Sequence, residues 1–406
     1  MTGNRALALL DRAGAASSVN DGNGALASAR WNQLGPKSVC PYSVAMDRPT
    51  LDQKAFKGRG SLTNPAGRFE RQVVEEIHDG WYEEEQPRTI ATTIAPDHAK
   101  HVITKNDSPD VGFDYSINPY RGCEHGCIYC YARPSHAYMG LSAGIDFETR
   151  LFYKENAGKV LEQELARPGY VPRTIMLGAN TDPYQPVERD LRVTRSVLEV
   201  LARTRHPVSI ISKSAMVLRD LDLLTDLSKD GLVTVTISIT TLSVETKRIL
   251  EPRTASPQAR LRALRELNAA GVPSGVMVAP VIPAITDHEM ESILEAAAAA
   301  GARWAGYVLL RLPYEVKDLF RDWLTEHFPN RAAHVMALIN AMRGGRDNDP
   351  NFGSRMRGTG PMAELIRNRF NLACKRLDLN NQKRDIRPPT NLFRPPLVEN
   401  AQMRLF

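Results

Sequence analysis

The sequence predicts an α/β fold of six βα units, arranged as an open partial barrel or as a doubly wound sheet. Three observations carry this. Between residues 110 and 325 short β-branched runs alternate with helical patterns of about 12–15 residues. The apolar residues of these runs come in near-continuous blocks, such as Val233-Thr234-Val235-Thr236-Ile237, as parallel strands buried on both faces require. Six units of roughly 36 residues approach the repeat of an eightfold barrel but are too few to close one.

The expected strands are Asp114–Asn118, Arg173–Ala179, Pro207–Ser212, Leu232–Ile239, Pro273–Ala279 and Trp304–Leu310. Between and after them lie helical patterns at Asn156–Ala166, Leu191–Thr204, Met216–Lys229, Pro257–Ala270, Asp287–Gly301 and Tyr314–His327. Pro257 suits a first helical turn, and Gly271 and Gly301 suit helix C-termini. The core therefore spans residues 109–328. Residues 1–30, rich in Ala, Gly, Ser and Asn without periodicity, read as a disordered leader. Residues 31–108 read as a loop-rich extension that straps the core. Residues 329–406 form a basic extension with helical patterns at Ala332–Met342 and Gly360–Leu377 around a Gly/Arg-rich loop.

Of 406 residues, 42% are hydrophobic and 24% charged, which excludes wholesale disorder, collagen and coiled coil. No stretch reaches the roughly 18 uninterrupted apolar residues of a membrane span. The best candidate, Ala296–Leu312, is broken by Arg303, and Ala6–Leu10 is too short for a signal-peptide core. A cytoplasmic location without membrane contact is expected. The net charge is +6, and Arg343–Phe406 holds 13 Lys/Arg against 6 Asp/Glu, a surplus of seven. Such a tail suits nucleic acid, or is simply solvated. Five cysteines, an odd and sparse set, exclude a secreted disulfide scaffold.

Three of those cysteines crowd into Cys123-Glu124-His125-Gly126-Cys127-Ile128-Tyr129-Cys130, just past the first strand. Three close thiolates are soft ligands for zinc or iron–sulfur. A structural zinc needs a fourth ligand, and Cys40 and Cys374 are lone residues in the two extensions. A [4Fe–4S] cluster with one iron open to an external ligand needs only the three.

The CxxxCxxC pattern, with an aromatic before its last cysteine and a first βα strand before it, resembles the radical S-adenosylmethionine (SAM) superfamily. That resemblance selects the open partial (βα)6 barrel of TIM type. It implies that Cys123, Cys127 and Cys130 ligate a [4Fe–4S] cluster, that SAM chelates the fourth iron, and that Tyr129 packs on the adenine. It also implies reductive cleavage of SAM to a 5′-deoxyadenosyl radical that abstracts hydrogen, with an electron donor such as flavodoxin or ferredoxin.

Further segments are similar to the spore photoproduct lyase-like subgroup: Cys130-Tyr131, Gly178–Glu188, Ser212-Lys213-Ser214 and Ser238-Ile239-Thr240. All follow carboxyl ends of expected strands, where such folds build their sites. There Asn180, with Thr181 or Asp182, suits the amino group of SAM. Lys213 suits the carboxylate, and Ser238 or Thr240 the ribose. Glu251-Pro252-Arg253 reads as a brace for the rim through an ion pair.

One departure matters: the lyase carries a further cysteine near the end of strand two, which returns a hydrogen atom to the product. This chain has Ala179-Asn180-Thr181 there and no cysteine between Cys130 and Cys374. An amide is no substitute for a thiol as hydrogen donor, so the lyase reaction is not expected in that form. Tyr131 and Tyr184 are the alternative relays, and each reads first as a packing aromatic. The expectation is a radical SAM enzyme, lyase-like or modifying, that abstracts hydrogen from an unidentified substrate; the resemblance and the basic tail favour nucleic acid or a nucleotide, with a protein or a small molecule as the alternative. The rival from another class is a non-catalytic nucleic-acid-binding protein with a structural metal on the three cysteines.

Overall fold

The computed structural model describes residues 56–69, 89–381 and 388–396. The leader expected over residues 1–30 lies outside the described residues, as does Cys40.

The described residues form ten strands: β1 Thr93–Pro96, β2 Ile103–Lys105, β3 Tyr115–Ile117, β4 Tyr120–Arg121, β5 Arg150–Tyr153, β6 Ile175–Leu177, β7 Val208–Ser212, β8 Val233–Ser238, β9 Ser274–Val281 and β10 Ala305–Leu309. The main sheet has the order β10-β9-β8-β7-β6-β3-β2. Its six strands β3, β6, β7, β8, β9 and β10 pair in parallel, and β2 adds antiparallel to β3. Each of the six lies within or within two residues of its expected span. The order follows the chain without reversal, whereas a doubly wound sheet reverses at a switch point. The described strands β2 and β10 are edges and do not pair with each other, so this is an open partial barrel.

The helices are α1 Asp146–Thr149, α2 Ala157–Leu165, α3 Glu188–Leu191, α4 Val193–Arg203, α5 Leu221–Lys229, α6 Val244–Leu250, α7 Pro257–Ala269, α8 Met290–Ala299, α9 Val316–His327, α10 Ala332–Ala341 and α11 Gly360–Arg376. Sequence chemistry sets their ends. At α7 the Ser256 hydroxyl accepts from the Ala259 N–H at 3.2 Å, and Pro257 supplies a first-turn residue without a donor. Strand β8 carries the fully enclosed Val233, Val235 and Ile237 on one face and Thr234, Thr236 and Ser238 on the other, with Thr234 and Ser238 buried as well. Its sequence is therefore β-branched along its length while apolar and hydroxyl residues alternate between the faces.

A second, three-stranded sheet, β1-β5-β4, was not expected. Its strands are two to four residues long and β1 is mostly exposed, so no apolar run announces it. The C-terminal extension docks on the barrel end. The Leu309 N–H donates to the Met356 carbonyl at 3.0 Å. Buried Arg343 donates to the carbonyls of Leu309 (3.1 Å), Leu310 (2.6 Å) and Arg355 (2.7 Å). Several tail arginines are already paired: Arg355 with Asp110, Arg369 with Glu291, and Arg376 with Glu295. Much of the tail's positive charge therefore fastens it to the barrel.

His206, between α4 and β7, gives the fold a pH signature. Its ring is fully buried, with Nε2 2.8 Å from the Tyr170 hydroxyl, and burial pulls its pKa down to about 4. The unfolded chain binds a proton near pH 6.5 and the folded chain does not. Stability is therefore full above about 6.5 and falls toward 4, by about 3 kcal/mol in all. Urea unfolding at pH 7 and pH 5 should show this slope, and His206→Gln should flatten its share of it.

Candidate active site

The cysteine loop leaves β3 through Asn118 and Pro119 and the short strand β4. The Asn118 Oδ1 accepts from the Asn180 N–H at 2.8 Å, tying the loop after β3 to the loop after β6. Two successive turns shape the motif: the Gly126 N–H donates to Cys123 O at 3.3 Å, and the Cys130 N–H to Cys127 O at 3.2 Å. Gly126 has φ +67°, and a Cβ there would lie 2.6 Å from a Glu148 carboxylate oxygen. Only glycine meets both demands. A Cβ on Gly60 would lie 1.8 Å from the Gly126 carbonyl oxygen, so the N-terminal strap runs directly against this loop.

Beneath the loop lies a buried ion pair that sequence reading missed. Arg133 and Glu148 are both fully enclosed and 2.5 Å apart. Arg133 also donates to the carbonyls of Cys127 (2.9 Å), Gly144 (2.9 Å) and Ala143 (3.1 Å). Glu148 accepts from the N–H groups of Gly60 and Ser61, both at 2.9 Å. One pair thus joins the cysteine loop, helix α1 and the strap. Gln185 holds the other side, accepting from the Glu124 N–H at 2.8 Å and donating to Gly122 O at 3.2 Å. Arg253 pairs with Glu124 at 2.8 Å, and its N–H donates to His125 O at 3.2 Å. The Glu251-Pro252-Arg253 segment is thus a brace, and it clamps the cysteine loop as well as the rim.

The Cys123 and Cys127 side chains are buried and Cys130 is half-buried. Burial pushes all three thiols up; the Asp182 carboxylate and the other two thiols add to this at Cys123, and Glu251 adds to it at Cys127. The three groups lie close enough to disfavour one another's ionisation, and bound iron would reverse that balance. Among the described residues no three His, Cys, Asp or Glu side chains converge closely enough to hold a single metal ion. The acidic neighbours are committed elsewhere: Glu124 to Arg253, Asp182 to the Lys213 N–H, and Glu251 to Arg260. Three thiols with no fourth ligand among the described residues fit a multi-iron cluster better than tetrahedral zinc.

The loops after β7, β8 and β9 bring a second constellation to the same rim. The Lys213 ammonium donates to the Ser238 hydroxyl at 2.6 Å and to the Ala279 carbonyl at 3.0 Å. It lies 3.5 Å from Glu251 and 5.7 Å from the centre of the Tyr129 ring. Glu251 is fully buried and bonds Tyr129, Thr240 (2.7 Å) and Arg260. Burial alone would raise its carboxyl, but Arg260, Lys213 and these hydrogen bonds hold it well below the usual carboxylate range. The site therefore contains a fixed anion that orients both Lys213 and the Tyr129 hydroxyl.

Tyr129, Lys213 and Ser238 thus meet in one network. Asn180 sits on the neighbouring loop, half-buried. Of the three residues considered for the amino group, Thr181 donates to Tyr120 O at 2.8 Å, and Asp182 accepts from Ser212 (2.8 Å) and the Lys213 N–H (2.7 Å). Only the Asn180 side chain is left uncommitted among the described residues. Tyr184 is fully buried with Arg219 over its ring, a packing position. Tyr131 is 47% exposed, and its hydroxyl donates to the Ala179 carbonyl at the mouth.

The model of the radical SAM superfamily matches residues 117–297. An uncharacterized protein of Mycobacterium tuberculosis is 38% identical over 228 residues, which cover 56% of this chain and 67% of that one. An uncharacterized protein of Methanocaldococcus jannaschii is 30% identical over 191 residues, 47% of this chain and 68% of that one. In fold, the chain is similar to spore photoproduct lyase complexed with dinucleoside spore photoproduct, with a TM-score of 0.51 and 16% identity over 70% of this chain and 79% of the other. Radical SAM proteins bind a [4Fe–4S] cluster and SAM, the chemistry that three closely spaced thiols accommodate. With this motif on the loop after the first of six parallel strands, the chain belongs to the radical SAM superfamily.

Proposed function

We propose that this chain is a radical SAM enzyme that abstracts hydrogen from a nucleotide or nucleic-acid substrate, with Cys123, Cys127 and Cys130 as the cluster ligands. The observation that carries the reading is the meeting, on one rim, of the three-thiol loop with the Lys213–Ser238–Glu251–Tyr129 network. A reduced [4Fe–4S] cluster supplies the electron that cleaves SAM. Lys213 holds the carboxylate of SAM, Ser238 a ribose hydroxyl, and Asn180 the amino group. Tyr129, fixed by Glu251, forms the wall against the adenine. Glu251 keeps Lys213 aimed, and the brace at Arg253 keeps the cysteine loop in place.

One feature supports a nucleotide as substrate: a fold similar to a lyase solved with a dinucleoside. No described helix is long and apolar enough to cross a membrane. Reduced, unpaired thiols fit a cytoplasmic setting with a flavodoxin- or ferredoxin-like donor. Iron and sulfide reconstitution followed by dithionite and SAM should yield 5′-deoxyadenosine. Its absence from protein with a verified intact cluster would overturn the proposal.

Lys213→Met tests the carboxylate contact. Loss of a charge-assisted hydrogen bond should raise the KM for SAM by about 10- to 100-fold. Iron content should stay unchanged, and Lys213→Arg should recover part of the loss. An unchanged KM would remove Lys213 from the cofactor site.

A further inference from the structure

Arg311 lies two residues past β10, on the rim that carries the cysteine loop. Its guanidinium sits 5.5 Å over the ring of Tyr131, the residue after Cys130. Tyr131 in turn reaches the Ala179 carbonyl past the end of β6. This aromatic side chain therefore spans the mouth between the second and sixth parallel strands, with the arginine lying on it.

The guanidinium of Arg311 is incompletely satisfied. Its Nε is buried without a hydrogen-bond partner, and Nη1 reaches only the Met356 sulfur at 3.7 Å, a weak acceptor. Asp110, whose charge favours that of Arg311, is hydrogen-bonded by both arms of Arg355 at 2.6 and 2.5 Å. Burial and the like charge of Arg355 both disfavour the ionised guanidinium. A desolvated cation without a hydrogen-bonded anion is costly, and its removal normally favours the folded state. Other interior arginines are satisfied: Arg133 by Glu148, Arg260 by Glu251, and Arg343 by four carbonyls. Arg311 alone of these offers a free donor edge, and it does so beside a half-exposed aromatic at the opening.

We propose that Arg311, lying on Tyr131, binds an oxyanion of the substrate, the phosphate of a nucleotide, and thereby fixes how the substrate meets the cluster loop. A planar guanidinium with an unused edge suits the paired oxygens of phosphate. The exposed Tyr131 ring adds a face on which a base can stack. The proposal deepens the nucleotide reading above and rests on it.

The test is calorimetric titration of the reconstituted full-length chain at low salt with thymidine 5′-monophosphate, thymidine and succinate. The wild type should bind the monophosphate at least about tenfold more tightly than thymidine. Arg311→Gln should erase that difference, and Arg311→Lys, which keeps the charge but not the fork, should restore part of it. Ligand-free melting should not fall in Arg311→Gln; a marked fall would make the residue structural and overturn the proposal. Equal monophosphate affinity in wild type and Arg311→Gln would also overturn it. A response to succinate alone would overturn the phosphate assignment, and lost SAM binding in Arg311→Gln would assign the residue to the cofactor instead. Missing 5′-deoxyadenosine in the wild type would sink the radical chemistry alone, because the titration does not depend on turnover.

Discussion

Cys127→Ala is expected to abolish 5′-deoxyadenosine formation, to below about one part in a thousand of the wild-type rate, and to cut bound iron. Cys127 lies at the centre of the motif. Its carbonyl closes the second turn through the Cys130 N–H and also accepts from Arg133. These are backbone contacts that alanine keeps. The fold should therefore survive, and circular dichroism should match the wild type while the visible iron–sulfur absorbance is lost. A thousandfold loss corresponds to about 4 kcal/mol in the barrier. Wild-type turnover in this variant would show that the thiol is not a ligand.

Arg133→Met should have the largest effect on stability. The substitution removes one partner of a fully buried ion pair and leaves Glu148 with only the two strap N–H groups. Breaking such a pair costs about 3–5 kcal/mol. The carbonyls of Cys127, Ala143 and Gly144 lose their donor as well. Urea unfolding of the ligand-free protein should show the loss, and iron retention should fall because the cysteine loop loses its floor. The control is Arg203→Met, which breaks an exposed pair with Glu162 and should cost less than about 1 kcal/mol. Comparable losses in the two variants would show that the buried pair does not organise the loop.

The parts of the fold legible in the sequence were those where one physical cause dominates. Strands in the middle of a parallel sheet are rich in β-branched residues, so β7 and β8 could be read almost to the residue. Strands β1, β4 and β5 are short, and what sets them is pairing to one another, which leaves no pattern. Helix α6 adds a second helix between β8 and β9, too short to show a period. The cysteine loop was legible because ligand spacing is local.

The contacts that hold that loop were not legible. Arg133 and Glu148 are 15 residues apart, and Gly60 meets Gly126 only through folding of the strap. Charge counting was only partly informative at the C-terminus. The basic surplus of Arg343–Phe406 suits nucleic acid or a solvated tail, and only the fold shows that Arg343, Arg355, Arg369 and Arg376 are engaged within the chain. Arg311 carried the opposite lesson. It follows the expected strand Trp304–Leu310, and only the surrounding structure reveals that its Nε lacks a hydrogen-bond partner.

The central claim is that three thiolates hold a cluster with one iron open to SAM. Electron paramagnetic resonance of the reduced, reconstituted full-length protein, with and without SAM, tests it most directly. The account predicts about four irons per chain and a signal of a reduced [4Fe–4S] cluster whose g-values shift when SAM is added. Stoichiometric zinc with no iron, or a cluster signal indifferent to SAM, would contradict it.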